Sequence, residues 1–193
     1  MFDETIQQRI KESIKTKELV LSNPTLLNLT NQVAQHCIQA LQSDHKIFFC
    51  GNGGSAADAQ HLATELSGRY YYDRPPLFAE ALNVNMSFVT AVGNDYGYDA
   101  VFARSIQAKG RPGDILFALS TSGNSSNVIE AAKMAQKNQV TTIGMTGLTG
   151  GKLQAHCDHL LAIPSTDTPR IQECHMLLGH IICELIEANM FPK

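Results

Sequence analysis

The chain holds no tryptophan, no Cys-x-x-Cys pair and no apolar run near the roughly 20 residues that a membrane span requires. A transmembrane protein and a zinc site built on paired thiolates are therefore excluded. Positive charge is not in excess either: Lys+Arg at 15 face Asp+Glu at 18, a formal net charge of -3. Binding to a phosphate backbone normally shows as a basic stripe, and none is present, so nucleic acid is not a direct partner. Cysteine occurs at positions 37, 50, 157, 174 and 183, an odd number, mostly inside apolar runs. Such a set reads as buried free thiols in a reducing compartment. The opening residues are acidic and lack the apolar block of a signal peptide, so the expectation is a cytoplasmic protein.

What remains is ordinary soluble-protein composition, 44% hydrophobic and 17% charged over 193 residues. That length fits one domain, residues 1–193, with enough chain to bury a substantial core. No linker, repeat or low-complexity segment interrupts it. Residues 1–44 read as a helical pair. Ile6, Ile10 and Ile14 recur every four residues, then Asn23-Pro24 offers an N-cap with proline in the first turn. A second stripe follows at Leu26, Leu29, Val33, Cys37 and Leu41. Two amphipathic faces ahead of the main domain need a cover, either their own domain or another subunit.

From residue 45 the pattern changes. Short apolar runs at 46–50, 79–82, 115–119, 141–145 and 159–163 are bounded by Gly, Pro or Asn. Helical patterns over 55–69, 125–137 and 169–189 lie between or after them. Strand and helix in alternation predict an α/β fold: a three-layer α/β/α sandwich on a five-stranded parallel sheet.

Ligands in such sheets bind beyond the carboxyl ends of the strands. Two loops there open helices: Gly51-Asn52-Gly53-Gly54-Ser55 and Ser120-Thr121-Ser122-Gly123-Asn124-Ser125. Helix N-termini attract phosphate, glycine lets backbone approach closely, and hydroxyls add donors. One such loop alone would be an ordinary turn. Two at equivalent strand ends, without lysine and without a dinucleotide or P-loop pattern, point to a compact phosphate monoester. His61 and Glu65, spaced i, i+4, share a face of the helix leaving the first loop and can form half of a metal site. The last helix offers Gln172, Glu173, His175 and His180. At about 100° per residue, His180 lies roughly 80° from Gln172 on one side and His175 about 60° on the other. Spacing does not choose between the two histidines, and a lone histidine in an apolar helix is more often a core residue. Arg170 reads as a helix-end ion pair, Gly93-Asn94-Asp95 as a turn, and Tyr70, Tyr71 and Tyr72 beside Arg74 as a polar-tipped loop.

The strings CGNGGSAADAQHLATELSGRY, VGNDYGYDAVF, GDILFALSTSGNSSNVI, TGLTGGKL and RIQECH resemble the sugar isomerase (SIS) domain superfamily, and within it the phosphoheptose isomerase family. The resemblance implies a homotetramer with the N-terminal helices in its core and active sites built between subunits. It implies conversion of D-sedoheptulose 7-phosphate to D-glycero-D-manno-heptose 7-phosphate, the first step toward ADP-heptose for lipopolysaccharide. By the same carry-over Ser55, Ser120, Ser122 and Ser125 would hold the phosphate. Asn52, Gly53, Gly54, Asn94, Asp95 and Thr121 would line the sugar, with Glu65 and Gln172. Glu65 and His180 would be catalytic, and His61, Glu65, Gln172 and His180 would hold one zinc per subunit. One departure is the Thr168-Pro169 pair where some members carry an aspartate. The alternatives are a non-catalytic relative that binds the initiator DnaA and a sugar-phosphate sensor.

Overall fold

The computed structural model describes residues 2–193. Its first helix, α1, spans Phe2–Leu21 and its second, α2, Pro24–Gln42. Asn23 caps α2 by accepting the Leu26 N–H at 3.0 Å, and Pro24 opens the first turn, where a missing N–H costs nothing. The strands are β1 (Ile47–Cys50), β2 (Ala79–Ala81), β3 (Ile115–Leu119), β4 (Thr141–Thr146) and β5 (His159–Ala162). The remaining helices are α3 (Gly54–Ser67), α4 (Met86–Tyr96), α5 (Val101–Lys109), α6 (Ser126–Lys137) and α7 (Thr168–Met190).

All strand pairs are parallel, in the order β2-β1-β3-β4-β5. The strand period of two sends alternate residues to opposite layers. Ile47, Phe49 and Phe117 join α2, α3 and α7 on one face; Phe48, Cys50 and Leu116 join α4, α5 and α6 on the other. Phe49 and Phe117, partners in register, stack with ring centroids 4.9 Å apart. Buried on both faces, the inner strands β1 and β3 read as continuous apolar runs, as expected of a parallel sheet. The five cysteines are free, and four of them are buried. Burial pushes the thiols of Cys157 and Cys183 up to about 12, which leaves them inert at neutral pH.

The two N-terminal stripes part company. Leu26, Val33 and Cys37 of α2 are buried in the core, whereas Ile6, Ile10 and Ile14 of α1 are 57%, 55% and 51% exposed. Gly93-Asn94-Asp95 is a correction: these residues continue α4 to Tyr96 and do not form a turn. The Asn85 side chain starts that helix by accepting from the Phe88 N–H at 3.0 Å. No helix among the described residues is long and apolar enough to cross a membrane.

Candidate active site

The strand order reverses direction between β1 and β3: the chain goes one way from β1 to β2 and the other way from β3 onward. A crevice opens at such a switch point, and the two predicted loops are those that leave β1 and β3. Gly53 at the N-cap of α3 has no side chain to cap it, and the Ser125 side chain at the N-cap of α6 does not fold back onto its helix. First-turn N–H groups at both termini are thus left to face a ligand anion. In the second loop Ser120 Oγ and Ser125 Oγ lie 3.0 Å apart, and Ser122 Oγ accepts the Asn124 N–H at 3.1 Å. Gly123, at φ +66°, shapes this loop; a Cβ there would fall 2.0 Å from the Gly150 carbonyl oxygen. A cleft of about 530 Å³ beside the first loop is lined by Gly51, Ala56, Asn83, Val89, Gly93 and Tyr98.

The loops are bolted together through Asn52 by two residues that sequence reading did not single out, Asn127 and Tyr98. Asn52 and Asn127 exchange two amide hydrogen bonds of 2.8 Å, and the Tyr98 hydroxyl donates to Asn52 Oδ1 at 3.1 Å. Asn127 is only 2% exposed. An asparagine at the second position of an apolar-faced helix, opposite Asn52 in the other loop, is the signal that was available. Asn94 and Asp95 lie exposed at the end of α4, joined by a 2.8 Å bond from Asn94 Nδ2 to Asp95 Oδ1.

Helices α3 and α7 pack in parallel register: Gln172 rests against Gly54, Gly179 against Leu62, His180 against His61, and Glu187 beyond the end of α3. Gly179 allows the close approach, since a Cβ would fall 2.6 Å from Leu62 Cδ2. The pairing brings together His61, Glu65 and His180. His61 Nε2 lies 2.9 Å from Glu65 Oε1 and 3.1 Å from His180 Nε2. It is the one cluster among the described residues whose ligand atoms, all within 4.8 Å of one another, suit a metal ion. Two imidazole nitrogens and a carboxylate aimed at one point need a shared proton or a cation between them. A tetrahedral zinc with bonds of 2.0–2.1 Å sets its ligand atoms about 3.3 Å apart, close to these separations, and catalytic sites keep a fourth position open. The donor set fits zinc. His61 is half exposed and Glu65 about a fifth, so the cluster opens outward.

Gln172 stands elsewhere: a Cβ on Gly54 would fall 2.5 Å from its Nε2, at the loop end of the groove. Eight residues of α7, about 12 Å along the axis, separate it from His180. His175, the other candidate histidine, is fully buried with Nε2 3.2 Å from the Thr146 carbonyl oxygen, and burial lowers it to about 4. Asp58 shares the face of Gly54, His61 and Glu65; burial raises its carboxyl and His61 opposes the shift. Arg170 forms the expected helix-end pair with Glu173 at 2.6 Å, and Arg69 is exposed. The tyrosine segment is a loop, as expected, with Tyr71 64% exposed; the Tyr70 and Tyr71 N–H groups and Arg74 turn inward onto Glu187.

The comparisons agree with this fold. The SIS domain family model matches residues 12–147. A phosphoheptose isomerase from Aneurinibacillus thermoaerophilus is 49% identical over 186 residues, 96% of this chain and 94% of the relative. The solved phosphoheptose isomerase of Neisseria gonorrhoeae superposes with a TM-score of 0.91 at 44% identity, covering 97% of this chain and 100% of that one. That of Francisella tularensis gives 0.93 at 34% identity, covering 96% and 98%. The chain belongs to the SIS domain family, in its phosphoheptose isomerase branch, and is an enzyme of the isomerase class.

Proposed function

We propose that the chain interconverts D-sedoheptulose 7-phosphate and D-glycero-D-manno-heptose 7-phosphate by moving a proton between C1 and C2 through an enediol. The convergence of His61 and Glu65, on the helix that begins at a phosphate-type loop, with His180 of α7 carries this reading. The phosphate is held by Ser55, Ser120, Ser122 and Ser125 with the N-termini of α3 and α6. Asn52, Gly53, Gly54, Asn94, Asp95, Thr121 and Gln172 line the sugar chain.

From ketose to aldose, Glu65 takes a proton from C1 while His180 supplies one at O2; the enediol then regains a proton at C2 as O1 loses its own. Zinc, one ion per subunit, would be held by His61, Glu65 and His180, with Gln172 as the fourth donor of the set. When bound, it would polarise the substrate oxygens. A carboxylate that gives one oxygen to a cation keeps the other for the proton, so Glu65 would serve both roles; an imidazole bound through Nε2 has no proton there to give, so His180 would act as the acid when its Nε2 is released from the ion. The product would feed ADP-heptose for the lipopolysaccharide core, in the cytoplasm.

Residues 1–44 act as the oligomerisation segment of a homotetramer, and residues 45–193 as the sugar-phosphate core. The uncovered stripe Ile6, Ile10 and Ile14 supports this, as does a cluster that opens outward, toward a neighbouring subunit. The experiment is direct: purified protein is incubated with sedoheptulose 7-phosphate, with and without added zinc. Aldose product is expected. Its absence under both conditions would defeat the reading.

A further inference from the structure

The helices that carry the cluster are joined again two turns beyond it, and this second junction is buried. Glu187 follows His180 by seven residues, which returns it to nearly the same face of α7. Its side chain and that of Arg74 are each 1% exposed, with Arg74 Nε donating to Glu187 Oε1 at 3.0 Å. The rest of the guanidinium closes the C-terminus of α3. Nη2 donates to the carbonyl of Glu65 at 2.8 Å, and Nη1 to those of Leu66 at 2.7 Å and Gly68 at 3.2 Å. The carboxylate takes the chain that leaves α3, accepting the Tyr70 N–H at 2.9 Å and the Tyr71 N–H at 2.7 Å. Burial alone would raise Glu187, but these donors and the Arg74 charge hold it below the ordinary carboxylate range.

Stability does not by itself account for such a pair. The cost of desolvating two charges roughly offsets their attraction, and apolar replacements are often neutral. What an apolar patch lacks is direction. The planar fork grips the main chain of Glu65 itself and, through Glu187, the helix that carries His180. Sliding α7 against α3 would break several charge-assisted bonds at once. Reacting groups need placement within about 0.5 Å, and packing between smooth aliphatic surfaces such as Leu62 on Gly179 does not define it.

We propose that Arg74 and Glu187 are positioning residues of the isomerase, fixing the separation of Glu65 on α3 from His180 on α7. The inference rests on the reading of those two residues as the reacting pair. The test uses the full chain with Arg74→Lys, Glu187→Gln, Glu65→Gln and, as a destabilised control remote from the site, Val33→Ala. Lysine keeps the charge but cannot reach Glu187 and the α3 carbonyls together. Glutamine keeps the shape but lacks the charge and one acceptor. Both are expected to lower kcat about tenfold or more with KM within about twofold. Both should weaken zinc binding, measured by chelator competition, by a factor of about 10, the usual effect of losing a group that orients metal ligands. Val33→Ala should lose activity only as its folded fraction falls. If Arg74→Lys and Glu187→Gln behave like Val33→Ala, with zinc affinity unchanged, the proposal is overturned. Should Arg74→Lys fail to fold, Glu187→Gln alone decides. A fully active Glu65→Gln would instead remove the reacting pair, and the positioning role with it.

Discussion

His175 and His180 stand five residues apart on α7 and have opposite surroundings. His175 is sealed against β4, fully buried, its ring bonded to the Thr146 carbonyl oxygen and its charge suppressed. His180 lies on the flank of the helix that meets α3, with Nε2 toward His61 and its ring 5.8 Å from that of Tyr70. Residue type and helix are the same, so the difference comes from which layer each side chain faces. A histidine whose nitrogen meets a backbone carbonyl is held in place. One whose nitrogen meets another imidazole and a carboxylate is prepared for a proton or a cation.

The sharpest way to break this contrast is to exchange the expected consequences. His180→Asn and Glu65→Gln should each lower kcat by about a hundredfold to ten-thousandfold, the usual worth of a positioned acid or base. Their thermal midpoints should stay within a few degrees of the parent, because both side chains are partly exposed. Steady-state kinetics beside a melting curve checks both numbers. A His180→Asn protein that melts early yet turns over normally would place His180 with the structural histidine.

Burial by itself does not separate structure from function, and Ser120 sharpens the point. It is 4% exposed, yet its partner is the Ser125 hydroxyl, not a backbone group, and both stand at the mouth of the crevice. Ser120→Ala or Ser125→Ala should cost about tenfold in kcat/KM, mostly through KM. A hydrogen bond to a charged group contributes about 1.5–3 kcal/mol, and the remaining donors soften the loss. A change confined to kcat would move these serines from holding the phosphate to the chemistry.

The two loops that leave β1 and β3 were legible because their signal is local: glycines and hydroxyls in sequence, each following a strand-type run. The strands were legible for the same reason, as was the Asn23-Pro24 start of α2. The cluster was half legible. His61 and Glu65 share one helix, and i, i+4 spacing unites them, but the partner on α7 depends on how two distant helices pack. That approach is permitted by Gly179 accepting Leu62, which no periodicity announces. Arg74 and Glu187, 113 positions apart, were illegible for the same reason. Helix α4 was missed because Gly93 and Asn94 carry turn chemistry, which the Asn85 cap and the packing of Val92 override.

The smallest effect on activity, and the cleanest on stability, belongs to His175. Its folded value of about 4 lies below the ordinary 6.5 because burial disfavours the cation. Below pH 6.5 the unfolded chain takes up a proton that folded His175 refuses, so stability falls as pH drops and levels off below about 4. A gap of some 2.5 units amounts to about 3 kcal/mol over that window. His175→Gln removes the titration, while its carboxamide N–H can still reach the Thr146 oxygen. Denaturant unfolding from pH 7 to 4 should therefore show a loss of stability about 3 kcal/mol smaller than in the parent, with kcat/KM at pH 7 within about twofold. If His175→Gln keeps the acid slope of the parent, the buried imidazole is not its source, and the contrast between the two histidines rests on geometry alone.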